Sequence, residues 1–186
     1  MTSQHTSPST LKKIDMRSIA MIFVFAALGS APAMGQEGFL KEFVQKWGNA
    51  TEYTLEVVRT MPSSAYDYAP TEEQMTFGEQ VLHLLGNMSR LSSEYLGGQP
   101  VEFDRERKDY TKADLVGLLQ DGFQQSAAAV AALNEDDLEE VVEFFAGPMT
   151  KRQILVLMND HLTHHRAQLI VYARLNGVAA PRYLGW

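Results

Sequence analysis

The chain contains no cysteine, which removes several ways of bracing or anchoring a protein. No disulfide can cross-link the fold, and no cysteine is available for the lipid attachment of a lipoprotein. Stability must therefore come from a packed core. The 186 residues are 45% apolar and 21% charged, which is typical of one soluble globular domain with an appendage.

An excess of positive charge is also absent. The whole chain has a net charge of −7, and residues 1–35 contain three basic side chains and one acidic one. Residues 36–186 therefore keep 13 basic and 22 acidic side chains, a net charge of −9. Nucleic-acid binding normally depends on a clustered positive surface that contacts phosphates. We therefore expect no nucleic-acid partner.

The longest apolar run near the N-terminus is too short to span a membrane. It covers residues 19–28, ten residues, where a membrane-spanning helix needs about 20. Three basic residues precede the run, and the small-residue stretch GSAPAMG follows it. The basic residues are Lys12, Lys13 and Arg17. This order of charge, apolar segment and small residues is typical of a secretory signal.

We predict that residues 1–35 form a signal peptide and that residues 36–186 form the mature domain. Cleavage fits either after Ala33 or after Gly35, because each has an alanine or glycine before the cut and an alanine two residues earlier. The protein is then exported, to the periplasm or as a secreted protein, with no stable membrane anchor. An uncleaved N-terminal anchor is the alternative.

Proline interrupts none of the long periodic segments. Beyond residue 35 it occurs at positions 62, 70, 100, 148 and 181. Because proline breaks a helix interior, these positions mark junctions. Apolar residues between the junctions recur at three- and four-residue spacing. The pattern predicts four helices, at 38–61, 77–96, 112–133 and 151–176.

Chemical signals mark three of the helix starts. Thr76, Thr111 and Thr150 each stand three residues before an acid or an amide, in TFGE, TKAD and TKRQ. TFGE and TKRQ match the capping box, in which the hydroxyl and the later side chain each satisfy a free N–H of the first turn. TKAD is a looser version. Gly177, in RLNG, marks the end of the last helix.

Four amphipathic helices in residues 36–186 predict an all-α fold, a four-helix bundle. The links between helices two and three and between helices three and four are each about 14 residues long. The residues alone therefore do not impose a simple up-down-up-down order. The segment LEEVVEFF, at 138–145, fits either a short strand or an irregular link.

Three of the five histidines lie within five positions of the last predicted helix. His161 and His165 are four residues apart, so they project from one face, one above the other. His164 lies about 100° around the helix from His165, toward the flank, and is the weakest ligand candidate. Gln168 and Tyr172 follow on nearly the line of His165.

The remaining histidine beyond residue 35 is His83, in the second turn of the second predicted helix. Glu79 and Asn87 lie four residues to either side of it and form a polar stripe flanked by leucines. Polar groups on such a face are costly to bury unless something satisfies them. A metal shared by His83, His161 and His165 would do so. Three imidazoles leave a position open for water or substrate, as in catalytic zinc sites.

Four further side chains are candidates for the pocket or for hydrogen bonds behind the ligands. They are Glu79, Asn87, Gln168 and Tyr172. Structural alternatives stand beside three of them. Glu79 is explained as the capping-box partner of Thr76. Gln168 and Tyr172 are equally typical of the core or rim of a bundle.

Two other metal chemistries are disfavoured. HLTHH has the spacing of a zinc-protease helix, but Leu162 stands where the glutamate base belongs. The paired Glu-x-x-His motifs of a di-iron bundle are missing. Three interpretations stay open: a metal-dependent enzyme, a protein that binds a metal or small ligand without turnover, and a structural bundle whose histidines are satisfied internally.

Two stretches of the sequence carry a longer pattern. TFGEQVLHL surrounds His83, and HLTHHRAQLIVYARLNGVAAP runs from His161 to Pro181. Together they resemble the DinB-like, YfiT-related family of metal-binding four-helix-bundle proteins, whose last helix carries an H-x-x-x-H-R-x-Q block. The resemblance covers about residues 37–186. It implies one divalent metal ion (Zn, Ni, Mn or Fe), ligated by His83, His161 and His165, and a bundle in up-down-down-up order.

The resemblance also implies a range of activities. Members include thiol-dependent transferases or isomerases and metal-dependent hydrolases, and many have no known reaction. An export signal argues against thiol transfer, because cytosolic thiol cofactors are scarce outside the cell. A bound divalent ion can lower the pKa of water toward about 7 or polarise a carbonyl. We therefore expect a metal-dependent enzyme acting on a small-molecule substrate, as a monomer or a homodimer.

Overall fold

The computed structural model describes residues 38–186, and four helices account for most of them. They are α1 (Phe39–Thr60), α2 (Phe77–Leu96), α3 (Lys112–Ala131) and α4 (Lys151–Leu175). Each bound falls within two residues of the predicted one. No helix within residues 38–186 is long and apolar enough to cross a membrane. The predicted signal peptide lies outside the described residues.

The three threonine-led starts are all complete capping boxes. At α2, the backbone N–H of Glu79 donates to Oγ1 of Thr76 at 3.2 Å, and the N–H of Thr76 donates to Oε2 of Glu79 at 2.9 Å. The same reciprocal pairs join Thr111 with Asp114 and Thr150 with Gln153. A threonine cap stabilises a helix by about 1 kcal/mol. Gly177, with a φ of 75°, follows the end of α4 as predicted.

The first and third helices run antiparallel. In the first half of α1, Nε1 of Trp47 donates to Oγ of Ser126 in the last part of α3, at 3.1 Å. Just beyond the end of α1, Nζ of Lys112 at the start of α3 donates to the carbonyl oxygen of Met61, at 2.7 Å. One helix therefore begins where the other ends.

The first and fourth helices run parallel on another side of α1. The guanidinium of Arg152, at the start of α4, lies 4.7 Å from the ring centroid of Phe39, the first residue of α1. Further along both helices, Nη1 of Arg166 donates to the carbonyl oxygen of Ala50 at 3.1 Å. Both helices therefore advance in the same direction.

The second helix packs between α3 and α4 and runs antiparallel to α4. Just before α2, the carbonyl of Met75 accepts a hydrogen bond from Tyr172, near the end of α4. Further along α2, His83 lies beside His161, which comes earlier in α4. The order along the chain is therefore up, down, down, up, which the long second and third links permit.

The third link contains a small antiparallel hairpin. Its strands are β1 (Val141–Phe144) and β2 (Gly147–Thr150), and β2 leads directly into α4. Of the two alternatives for 138–145, the short strand is the one that the structure adopts, so the fold is mostly helical with one hairpin. An edge-on contact between Tyr95 and the ring of Phe144, 5.7 Å between centroids, packs the hairpin on α2.

The core lies between the four helices. Its largest fully buried side chains come from all of them and from the two adjoining links: Trp47, Met61, Phe77, Leu84, Leu85, Leu91, Leu119, Leu138, Ile154, Leu155, Met158 and Leu162. Truncating such a side chain to alanine typically costs about 2–5 kcal/mol. This core holds α2 and α4 side by side, and that contact positions the histidines.

Candidate metal centre

Three histidines from α2 and α4 converge. His83 projects from the second turn of α2, and His161 and His165 project from successive turns of α4. One potential ligand atom from each lies within 4.8 Å of the other two. The ring centroids are 4.4 to 5.3 Å apart. The four-residue spacing in α4 aligns two rings on one face, and the antiparallel packing of α2 brings the third to them.

The centre is buried at one end and open at the other. His165 is only 6% exposed, His161 is half-buried, and His83 is exposed. A molecule can therefore approach from the side of His83. The inner side is closed by the bundle core.

A buried glutamine fixes the orientation of His165. Gln80, 2% exposed, places Oε1 2.7 Å from Nδ1 of His165. Because an amide oxygen only accepts hydrogen bonds, the Nδ1 atom of His165 is assigned as the donor, and Nε2 keeps its lone pair. Metal-binding histidines are commonly held this way, by a hydrogen bond on the nitrogen that does not bind the metal.

The sequence analysis did not single out Gln80. It followed the four-residue stripe from His83 to Glu79 and Asn87. Residues three apart also share a helix face, and Gln80 lies three residues before His83. That spacing, in a helix with few other buried polar side chains, is the signal that could have identified it.

The histidines are held in the neutral form that binds metals. Burial lowers the pKa of His161 and of His165, each to about 4, and mutual repulsion among the imidazoles lowers both further. Burial and the nearby charge of Arg105 also lower the pKa of His83. At neutral pH all three rings therefore present an unprotonated nitrogen.

These residues fit a divalent ion. Around a four-coordinate ion with bonds of about 2.0–2.1 Å, nitrogens lie about 3.4 Å apart, so imidazoles whose ligand atoms are within 4.8 Å need only small rotations to share one. Imidazole nitrogen suits zinc, nickel and iron. The side-chain Oε1 of Gln168 is buried without a hydrogen-bond partner among residues 38–186, so this region also retains an unused acceptor.

Comparison with known proteins gives the family. The sequence model of the DinB family matches residues 34–184. This chain belongs to the DinB family. YjoA of Bacillus subtilis is 27% identical over 127 residues, which cover 67% of this chain and 82% of YjoA. YrdA of the same organism is 22% identical over 78% of this chain and 88% of its own length.

Solved structures share the DinB fold. The crystal structure of YjoA superposes with a TM-score of 0.65 at 24% identity and covers 78% of this chain and 99% of YjoA. YfiT of Bacillus subtilis superposes with a TM-score of 0.62 at 18% identity and covers 81% of this chain and 94% of YfiT. YfiT is described as a probable metal-dependent hydrolase with an unusual four-helix bundle topology.

In this DinB protein, Glu79 is committed to the helix start. Its carboxylate accepts from the N–H of Thr76 in the capping box and lies 3.5 Å from Nζ of Lys108. The hydrogen bond from the Thr76 backbone is the main cause that lowers the pKa of Glu79, so the group stays charged. Asn87, one turn beyond His83, is half-buried and lies outside the lining of the adjacent cleft.

The remaining candidates on α4 lie around the centre rather than in it. Nε2 of Gln168 donates to Nε2 of His164 at 3.0 Å, and His164 is exposed, outside the group of three. Tyr172 is buried, and its hydroxyl donates to the carbonyl oxygen of Met75 at 3.1 Å. Met75 lines the cleft beside the centre. Tyr172 therefore holds one edge of that cleft.

The cleft opens beside His83 and has a volume of about 480 Å³. It lies between the segment before α2, the first turns of α2, and the link from α2 to α3. Its lining is Tyr66, Asp67, Met75, Thr76, Gly78, Glu79, Leu82, His83, Phe103, Arg105, Arg107, Lys108, Tyr110 and Leu115. Clefts of this size accept small molecules.

Proposed function

We propose that this DinB protein binds one divalent ion through His83, His161 and His165 and acts as a metal-dependent enzyme, of hydrolase type, on a small molecule. The convergence of three neutral imidazoles, with ligand atoms within 4.8 Å of one another, is the observation that carries the proposal. A divalent ion held there supplies a Lewis acid that polarises an oxygen of the substrate or activates water.

A catalytic role is favoured over a structural one by the openness of the centre. Structural zinc sites are usually closed by four protein ligands, whereas catalytic sites keep one position free. Here three histidines form the group, and His83 faces both solvent and a cleft of about 480 Å³. The similar fold of YfiT, described as a probable metal-dependent hydrolase, supports the same class.

Other residues of the chain position the centre. Gln80 holds the ring of His165 through Nδ1. Tyr172 holds Met75 at the cleft edge. The core behind His165 excludes water from the inner side, which strengthens electrostatic interactions at the ligands. A substrate therefore enters from the side of His83 and meets a fixed set of ligands.

We further propose that the protein works outside the cytoplasm. The basic residues, short apolar run and small residues of segment 1–35 support an export signal. Export favours hydrolysis over thiol transfer, because water is available everywhere and cytosolic thiols are not. N-terminal sequencing of the native protein tests this: a terminus after Ala33 or Gly35 is expected, and recovery of an intact Met1 terminus from the cytosol would contradict it.

The enzymatic proposal is tested by reconstitution. Protein stripped with a chelator is reloaded separately with zinc, nickel, manganese and iron, and is assayed on small esters and amides, with and without added thiols. Turnover that appears with metal and disappears in His161→Ala is expected. Metal binding at one ion per chain without turnover on any substrate would instead favour a binding protein, and activity only with thiols would favour a transferase.

A further inference from the structure

A guanidinium without a carboxylate partner lies beside the histidine centre. Arg105, in the link between α2 and α3, lines the same cleft as His83. It packs closely on α2 at Gly86, where an added Cβ would lie 2.7 Å from Nη2 and 3.0 Å from Cζ of Arg105. Gly86 follows His83 by three residues, so the guanidinium meets α2 on the face that carries this histidine.

The other cations of the cleft are already paired. Nε of Arg107 lies 2.7 Å from Oδ1 of Asp109, and Nζ of Lys108 lies 3.5 Å from Oε1 of Glu79. Within the described residues, 38–186, no carboxylate lies within ion-pairing distance of Arg105. The five N–H donors of a guanidinium are best used by a planar anion with two oxygens.

The charge of the centre leads to the same conclusion. Three neutral imidazoles add no negative charge, so a divalent ion held by them would keep its full charge next to Arg105. The cleft offers two carboxylates, Asp67 and Glu79, and Glu79 is held by the capping box and by Lys108. An anion in this cleft is therefore stabilised from two sides, although the protein as a whole is acidic.

We propose that the cleft binds a small carboxylate whose two oxygens pair with Arg105 and whose apolar body rests on Leu82, Phe103 and Leu115. The proposal rests on the proposed function for the reaction and names its substrate class. One unpaired guanidinium matches the two oxygens of a carboxylate. A phosphate would need further free donors, and Arg107 and Lys108 are engaged elsewhere.

Calorimetric titration of the full chain, both metal-free and zinc-loaded, tests the proposal with three probes: benzoate, its neutral analogue benzamide, and inorganic phosphate. Benzoate is expected to bind at least tenfold more tightly than benzamide. Arg105→Gln should remove this tenfold preference, while Arg105→Lys should keep only part of it because the fork is lost. The matched control is Arg152→Gln, outside the cleft lining, which should keep the preference.

A second variant tests the position of Arg105 without changing any charge. Gly86→Ala places a methyl group where Nη2 of Arg105 lies, and the flexible guanidinium can move away from it. Benzoate affinity should fall several-fold while the melting temperature does not fall, since alanine is the better helix former. Gly117→Ala, in α3 with open space around it, is the matched control and should leave benzoate binding unchanged.

Four outcomes would overturn the carboxylate proposal. They are no benzoate binding, equal binding of benzoate and benzamide, an undiminished preference in Arg105→Gln, and tighter binding of phosphate than of benzoate. Its failure is distinguishable from that of the proposed function. Loss of zinc binding with retained benzoate preference in the metal-free chain would contradict the metal centre alone, and the reverse result would contradict the Arg105 site alone.

Discussion

His165 and Arg166 are consecutive residues of α4, and both are buried, yet the bundle treats them differently. Arg166 faces α1, where Nη1 donates to the carbonyl of Ala50 at 3.1 Å and the guanidinium lies over the ring of Tyr53. His165 faces α2 and uses one ring nitrogen on Gln80. Its other nitrogen belongs to the group shared with two further histidines.

The difference separates a structural polar group from a functional one. The chain itself supplies acceptors and an aromatic face for Arg166, so this cation is accommodated without any outside partner. The histidine group has aligned lone pairs and no acidic partner, and its lowered pKa values show that protonation does not relieve the arrangement. A cation from outside the chain satisfies it. The predictions below test this contrast.

Removal of any one ligand is expected to have the largest effect. His83→Ala, His161→Ala and His165→Ala should each reduce bound zinc from one per chain to near zero after equilibrium dialysis, because two imidazoles hold an ion much more weakly than three. Metal analysis of the dialysed protein measures this. Full retention in all three variants would return the histidines to a structural role.

Replacement of the neighbouring arginine should affect stability and spare the metal. Arg166→Met keeps an apolar side chain but loses the hydrogen bonds to Ala50 and Thr163, which costs about 2 kcal/mol. The melting temperature should fall by about 5 °C, with zinc still near one per chain. Thermal denaturation and metal analysis of the same sample measure both. Loss of zinc without loss of stability would invalidate the contrast between the two residues.

Loss of the orienting glutamine should have an intermediate effect. Gln80→Leu frees Nδ1 of His165 and the ring rotamer, so zinc affinity should fall about tenfold while saturation at one ion per chain remains attainable. Competition with a chromophoric chelator measures the affinity. Gln80→Glu, which can still accept from Nδ1, should retain most of it, and an unchanged affinity in Gln80→Leu would show that His165 is oriented by packing alone.

Acid should destabilise the metal-free protein modestly through the same histidines. His161 and His165 have a pKa of about 4 in the fold and an ordinary value of 6.5. Between these values the unfolded chain takes up protons that the folded chain does not, so stability is full above about pH 7 and declines as the pH falls toward 4. Thermal denaturation from pH 7 to 4 should show a shallower decline in a variant lacking His83, His161 and His165.

The smallest effect is expected at His164. Its ring is exposed and lies outside the group of three. His164→Ala should leave zinc content unchanged and zinc affinity within about twofold, since only the contact with Gln168 is lost. The same dialysis and competition measurements apply. A loss of zinc equal to that of His161→Ala would mean that the face of α4 is assigned wrongly.

The sequence was sufficient for the helices and for the histidine group because both depend on local spacing. Thr76, Thr111 and Thr150 determine helix starts through hydrogen bonds that span three residues, and all three capping boxes form. The pair His161 and His165 shares a face in any α-helix. The hairpin in 141–150 was left open because each strand has only four residues and too few alternations to identify.

The parts of the site that the sequence did not reveal depend on tertiary packing. Gln80 contacts His165 only because α2 and α4 lie side by side, 85 residues apart in sequence. Arg105 lies in a link without periodicity, and its place against Gly86 follows from how that link crosses α2. Tyr172 was aligned with His165 by spacing, but its hydroxyl extends to Met75, beyond the histidine group.

The most direct test of the metal centre is anomalous diffraction at the zinc absorption edge from crystals of the protein grown with zinc. The account predicts one strong peak per chain, about 2.0–2.1 Å from a nitrogen of each of His83, His161 and His165, with Nδ1 of His165 still bonded to Gln80. A peak bound by His164 in place of any of the three, or no peak among these histidines with zinc present, would contradict it.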